Sequence, residues 1–174
     1  MANIVSSTFY KGKLTTAPSI EAIRTRPTPV LFVDVDGSEL SRDKSYWNID
    51  EVRAVISLAV NERASHPDAL INIITFYKPQ LKAISKAVAA NAALNKMVYV
   101  ATVDSMQGRE ADVVIVSCVR TSVPIGFLTD RPRLNVAISR AKDMMYIVGS
   151  RKTLLKAKSD AWTLVLSHGN MATR

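Results

Sequence analysis

Val113-Val114-Ile115-Val116-Ser117-Cys118-Val119 is a short, nearly continuous apolar run, the length of one buried strand and without the alternation of a half-exposed one. Further runs of this kind are Val30 to Val35, Leu70 to Ile74, Met97 to Val103 and Met144 to Val148. Near-continuous Val and Ile is what a parallel sheet covered on both faces requires.

Helical spacing fills the intervals. Val52, Val55, Ile56, Ala59 and Val60 recur on one helical face, with Asn48 or Asp50 placed to cap its start, and Leu81, Ile84, Val88 and Ala92 do the same further on. Strands alternating with helices predict right-handed crossovers and a doubly wound, mainly parallel α/β sheet with helices on both faces. Its binding crevice should lie beyond the carboxyl ends of the strands, so functional residues are expected to follow strands.

Residues 1–29, with Gly12, Pro18, Pro27 and Pro29, show no sustained period and read as a lead-in to the same domain. Residues 30–166 form its body, with one or two helices over 151–166 through Leu154, Leu155, Trp162, Val165 and Leu166. Residues 167–174 have little to bury and are expected to be a flexible tail.

The 174 residues suit one domain. An apolar fraction of 48% against 22% charged is that of a globular chain, and no run of about 18 apolar residues exists to span a bilayer. No secretory signal opens the chain and Cys118, the single cysteine, has no intrachain partner, which favours a reducing compartment, cytoplasm or nucleus. Cys118 reads as a small core residue, and His66 and His168 lack neighbouring ligand types, so no metal site is expected. Lys and Arg outnumber Asp and Glu by 23 to 15, and the net charge of +8 favours polyanions such as nucleic acid.

Polar chemistry concentrates in two segments. Val103-Asp104-Ser105-Met106-Gln107-Gly108-Arg109-Glu110 follows one apolar run and precedes another. Gly108 can take positive φ, Gln107 and Glu110 offer an amide and a carboxylate, and Asp104 and Ser105 can engage hydroxyls or backbone amides; a capped turn explains the segment as well as a ligand site does. In the second, Arg131 to Lys142, Leu134, Ala137, Ile138 and Ala141 form an apolar helical face while Arg133, Arg140 and Lys142 can point outward. A planar guanidinium suits phosphate and can stabilise charge developing in phosphoryl transfer, although composition alone favours an ordinary solvated basic helix.

Taken in order, these words resemble the C-terminal RecA-like domain of superfamily 1B helicases, the group containing the nonsense-mediated decay helicase, senataxin and related nidoviral enzymes. Ile73-Ile74-Thr75-Phe76-Tyr77-Lys78-Pro79-Gln80 is similar to motif IV, Thr102 to Glu110 to motif V, and Arg133 to Lys142 to motif VI. Phe9-Tyr10-Lys11-Gly12-Lys13-Leu14, Ser45-Tyr46-Trp47-Asn48 and Gly126-Phe127-Leu128 extend the likeness over almost the whole chain.

The resemblance implies a RecA-like, P-loop NTPase-like fold and the second motor domain of an ATP-dependent, 5′-to-3′ RNA or DNA helicase. It implies that Arg140 is the catalytic arginine reaching a γ-phosphate across an interdomain cleft, and that Gln107, Gly108 and Glu110 line the same ATP site. It implies that Thr75, Tyr77, Lys78, Asp104, Ser105 and Arg133 face a single-stranded nucleic-acid backbone, although a Tyr after a strand more often packs than stacks on a base.

No G-x-x-x-x-G-K-[ST] loop and no magnesium-binding Asp-Glu box occurs. ATP and Mg²⁺ would therefore be held mainly by an N-terminal RecA-like domain absent from this chain, with none bound tightly here and no ATPase by this domain alone. In the family a Gln-Tyr-Arg-Met stretch lies just before the position of Met1, so a fragment of a longer helicase is expected. Phe76 where the family often has proline, and Pro79 before Gln80, leave the local loop shape open. A free-standing, non-catalytic RNA-binding or protein-interaction module, or a nucleotide-binding α/β domain unrelated to nucleic acid, are the alternatives.

Overall fold

In the computed structural model residues 2–13, 15, 26, 29–94, 98–106 and 108–171 are described. Helix α1 (Ala2–Phe9) is followed by β1 (Val30–Asp34), the hairpin β2 (Leu40–Arg42) and β3 (Ser45–Trp47), α2 (Ile49–Ser65), β4 (Ile71–Thr75), α3 (Lys78–Ala89), β5 (Val98–Thr102) and β6 (Ala111–Ser117). Then come α4 (Arg131–Ile138), β7 (Ala141–Gly149), α5 (Arg151–Lys156), α6 (Asp160–His168) and β8 (Asn170–Met171), with 3-10 turns at Val103–Ser105 and Gly126–Thr129.

The main sheet has the order β5-β4-β6-β7-β1-β8 and all its pairings are parallel, as expected for a RecA-like fold. Successive strand residues point to opposite faces, so each run feeds two cores. Ile73, Val113, Ile115, Met144 and Val148 pack against Val52, Val55, Ala59, Ile84 and Val88 of α2 and α3. Ile74, Val114, Val116, Met145 and Ile147 join Leu134, Ile138, Trp162 and Val165 on the other face. All five residues of β4 are buried, which is why its sequence carries no polar alternation. Cys118 lies in the core, where burial pushes its thiol well above the usual range.

Local chemistry sets the helix starts. Asn48, rather than Asp50, caps α2: its Oδ1 accepts from the backbone nitrogens of Asp50 at 3.0 Å and Glu51 at 3.1 Å. Pro79 sits in the first turn of α3, where a missing N–H costs nothing, so the unusual Phe76 and Pro79 are compatible with a helix opening at Lys78. Asp130 caps α4 by accepting from the Arg133 nitrogen at 3.1 Å.

Several elements depart from expectation. Within the lead-in, Ala2–Phe9 forms a helix whose Ile4 and Val5 are buried in the core; at 8 residues it is too short to show a period. The β2–β3 hairpin turns through Asp43 and Lys44 at φ 51° and 58°, a tight turn without the glycine that would announce it. Helix α3 ends at Ala89, so Ala92 lies beyond it. The expected tail is partly ordered: α6 runs to His168, and Asn170 and Met171 pair with Leu31 and Phe32. No helix among the described residues is long and apolar enough to cross a membrane.

Candidate nucleic-acid and nucleotide interface

The carboxyl ends of three central strands are in register, Thr75 of β4 lying between Thr102 of β5 and Ser117 of β6. Thr75 ends its strand fully buried, its hydroxyl donating to the Ser117 carbonyl at 3.2 Å. Tyr77 is 3% exposed, stacked edge-on to Tyr46 and tilted against Phe127 at centroid distances of 5.5 Å. Both side chains are therefore interior, Tyr77 being closed over by Tyr46 of the hairpin and by Phe127 after β6. Lys78, the next residue, is exposed.

Beyond β5 the 3-10 turn is pinned by buried Met106, leaving Asp104 and Ser105 exposed. Ser105 Oγ donates to the Thr102 carbonyl at 3.0 Å. Arg133, in the first turn of α4, donates from Nε to Asp104 Oδ1 at 2.8 Å and from Nη2 to Oδ2 at 3.2 Å. Its guanidinium also lies 4.8 Å from the centre of the Phe127 ring. Lys78, Asp104, Ser105 and Arg133 thus share the carboxyl edge of the sheet.

Glu110 and Arg140 lie at the opposite edge. Glu110 immediately precedes β6 and Arg140 immediately precedes β7, and the Ala111 nitrogen donates to the Arg140 carbonyl at 3.1 Å. These two candidates precede strands for a topological reason. The segment from Asp104 to Glu110 and helix α4 both travel from the carboxyl edge back to the amino edge, because each must return to start a parallel strand. Gly108 adopts φ 80°, the left-handed conformation that its lack of Cβ permits, and Glu110 is exposed. Gln107 lies outside the described residues. Arg140, partly exposed, lies along the last turn of α4: Nε donates to the Val136 carbonyl at 3.2 Å and Nη2 to Ser139 Oγ at 2.9 Å. These are neutral acceptors, not a carboxylate.

Glu110 also borders a cavity of about 360 Å³ with Leu70, Ile71, Asn72, Val98, Tyr99 and Arg109, in which the Arg109 guanidinium lies 4.5 Å from the centre of the Tyr99 ring. Among the described residues no group of three or more His, Cys, Asp or Glu is placed to hold a metal ion. The Asp50-Glu51 dipeptide is not a metal box: it opens α2, with Asp50 paired to Arg53 at 2.8 Å and Glu51 turned inward.

Beneath the carboxyl edge lies a buried polar network that sequence reading did not assign. Gln80 Nε2 donates to Ser117 Oγ at 2.9 Å and Gln80 Oε1 accepts from the Asn48 nitrogen at 2.8 Å. Ser117 Oγ donates to Glu51 at 2.7 Å. Desolvation pushes the Glu51 carboxyl up to about 7 despite the donors from Ser117 and the Val119 backbone. Above it, Arg120 pairs with Glu39 at 2.7 Å and lies 4.0 Å from the centre of the Tyr46 ring. The N-cap-to-N3 spacing from Asn48 to Glu51 would suggest a capping box, but the Asn48 nitrogen donates to Gln80 instead, and nothing local marked Gln80 or Arg120.

A family profile described as an AAA domain matches residues 1–152. The human probable helicase senataxin is 39% identical over 162 residues, covering 87% of this chain and 6% of that protein. The regulator of nonsense transcripts 1 homolog of Arabidopsis thaliana is 34% identical over 186 residues, covering 97% of this chain and 15% of that one. The chain belongs to the C-terminal RecA-like domains of superfamily 1B helicases. In this helicase-derived domain the three motif segments occupy the places just described. Among solved structures, the C-terminal domain of a possible DNA helicase from Lactobacillus plantarum superposes with a TM-score of 0.57 at 16% identity, over 87% of this chain and 91% of that one, a likeness of fold. The chain spans only 6% and 15% of the lengths of the two helicase relatives.

Proposed function

We propose that this domain is the second motor half of an ATP-dependent 5′-to-3′ helicase, inactive as an ATPase alone, with its two ligand surfaces at opposite edges of one sheet. The separation of Asp104 and Arg133 from Glu110 and Arg140 carries this reading. Motif V and motif VI each span from one edge to the other, so a displacement of either segment is felt at both edges. Lys78 offers an ammonium to a single strand of RNA or DNA, and Ser105 and Arg133 add a hydroxyl and a guanidinium where the strand displaces Thr102 and Asp104 as their partners, groups that hold a backbone without reading bases.

At the amino edge the residues present fit only one side of a nucleotide. Arg140, held by neutral acceptors, can be drawn toward a phosphate without breaking an ion pair, and Glu110 can accept from a ribose hydroxyl. ATP supplies the phosphoryl group, while the loop cradling it and the ligands of Mg²⁺ belong to the partner motor domain. Arg140 entering from a second domain makes stabilisation of transition-state charge conditional on cleft closure, which couples hydrolysis to domain movement.

The test has two parts. The purified domain should show no ATPase with or without single-stranded nucleic acid, and its binding to such strands should weaken steeply with salt. In the intact helicase, Arg140→Ala should lower hydrolysis by roughly a thousandfold with the domain still folded. Robust turnover by the isolated domain, or unchanged turnover in the variant, overturns the proposal.

A further inference from the structure

On the nucleic-acid track proposed above, on which this inference rests, Asp104 is chemically out of place. Lys78 and Arg133 are cations and Ser105 a hydroxyl, whereas the Asp104 carboxylate accepts hydrogen bonds and donates none. An unpaired carboxylate beside a phosphate backbone would oppose binding.

Two features change its character. Arg133 neutralises it through paired contacts of 2.8 and 3.2 Å, one to each oxygen. Arg133 is itself fixed, by Asp130 at 3.6 Å and by the Phe127 ring 4.8 Å from its guanidinium carbon. The carboxylate plane is thus held while its side chain stays 65% exposed. A bidentate arginine uses about half of the roughly four lone-pair sites of a carboxylate, so each oxygen keeps capacity to accept. The result is an oriented acceptor, paired with a guanidinium and facing solvent.

Phosphates and deoxyribose within a strand offer no hydrogen to such an acceptor; the ribose 2′-hydroxyl does, at every nucleotide. Base N–H groups also donate, but the sugar is covalently next to the phosphate that the exposed Lys78 attracts. We propose that Asp104 accepts a hydrogen bond from a ribose 2′-hydroxyl, so that this domain binds RNA in preference to DNA of the same sequence.

Fluorescence anisotropy with labelled oligo(rU), oligo(dU) and 2′-O-methyl oligo(U) of equal length, at one fixed salt concentration, tests this. The wild-type chain should bind oligo(rU) about tenfold more tightly than oligo(dU), the worth of one hydrogen bond to a charged group, and the 2′-O-methyl strand should behave as DNA. In Asp104→Ala the ratio of oligo(rU) to oligo(dU) affinity should fall to near one. Equal wild-type affinities for the three strands, a ratio unaltered in Asp104→Ala, or a preference that follows the base when oligo(rC) and oligo(dC) are substituted overturns the inference while leaving the track intact. If no strand binds, the track itself falls and the inference with it. The 2′-O-methyl comparison uses the wild-type protein and does not depend on how the variant folds.

Discussion

Both carboxylate oxygens of Glu51 lie 2.8 Å from the backbone nitrogen of Val119, a β-branched residue held at φ 73°. Few side chains tolerate that conformation, and a β-branched one least. The buried acceptor rewards the turn that brings Arg120 back over Tyr46, and so supports the carboxyl edge from beneath.

Replacing Glu51 by Ala should cost about 3 kcal/mol, because the Val119 N–H and the Ser117 hydroxyl lose a buried acceptor together. The pH dependence has a definite sign. The folded-state carboxyl titrates at about 7, above its ordinary 4.5, so the folded protein binds the extra proton. Its contribution is fully present below the unfolded value and is lost as pH rises toward 7, by roughly 1.4 kcal/mol for each pH unit crossed. Urea unfolding at several pH values should show wild type losing stability relative to Glu51→Gln across this window; parallel profiles would refute it.

Arg120 and Glu39 form a pair with side-chain exposures of only 6% and 13%. Burial raises the Glu39 carboxyl, but hydrogen bonds from Arg120, Ser122 and Thr121 outweigh it and leave it below the usual range. Arg120→Ala should destabilise by about 3 kcal/mol, since a desolvated carboxylate loses its counter-charge. Adding Glu39→Gln should recover part of that loss, and a double-mutant cycle measures the coupling.

Gly108 and Gly126 separate two reasons for a glycine in a turn. Both have positive φ, at 80° and 56°. A Cβ on Gly108 meets nothing within 4 Å, whereas one on Gly126 would come within 2.9 Å of the Tyr77 hydroxyl and 3.0 Å of Arg120 Nη1. Gly108→Ala should therefore cost only backbone strain, about 1 kcal/mol, while Gly126→Ala adds an overpacking cost of about 1–3 kcal/mol. Thermal melts of the two variants should rank in that order.

Trp162 is fully buried and its indole nitrogen donates to the Leu128 carbonyl at 2.8 Å, tying α6 to the turn before α4. Trp162→Phe keeps most of the apolar ring but leaves the carbonyl without its donor, so a loss of about 1–3 kcal/mol in urea unfolding is expected. A loss indistinguishable from zero would show that solvent replaces the donor.

Much of the architecture is legible in the order of residues along the chain. The runs around Ile73, Ile115 and Ile147 announce strands because both faces of a central parallel strand must be apolar. The spacing of Val52, Val55 and Ala59 announces α2 for the same reason on one face. The short hairpin and the two-residue β8 carry too few residues for a period to emerge, and the hairpin turn lacks the glycine that betrays such connections.

The sequence by itself determined the alternation of the longer strands and helices, the family and the segments that hold the polar chemistry, because periodicity and local motif spacing are properties of neighbouring residues. Only the tertiary structure decided which of those polar residues reach solvent. Thr75 and Tyr77 are buried, Arg133 is committed to Asp104, and Glu110 with Arg140 lies at the other edge of the sheet. These outcomes depend on contacts between distant positions, such as Glu39 with Arg120, 81 residues apart. Burial and pairing are set by what closes over a residue, and that partner is chosen by the fold.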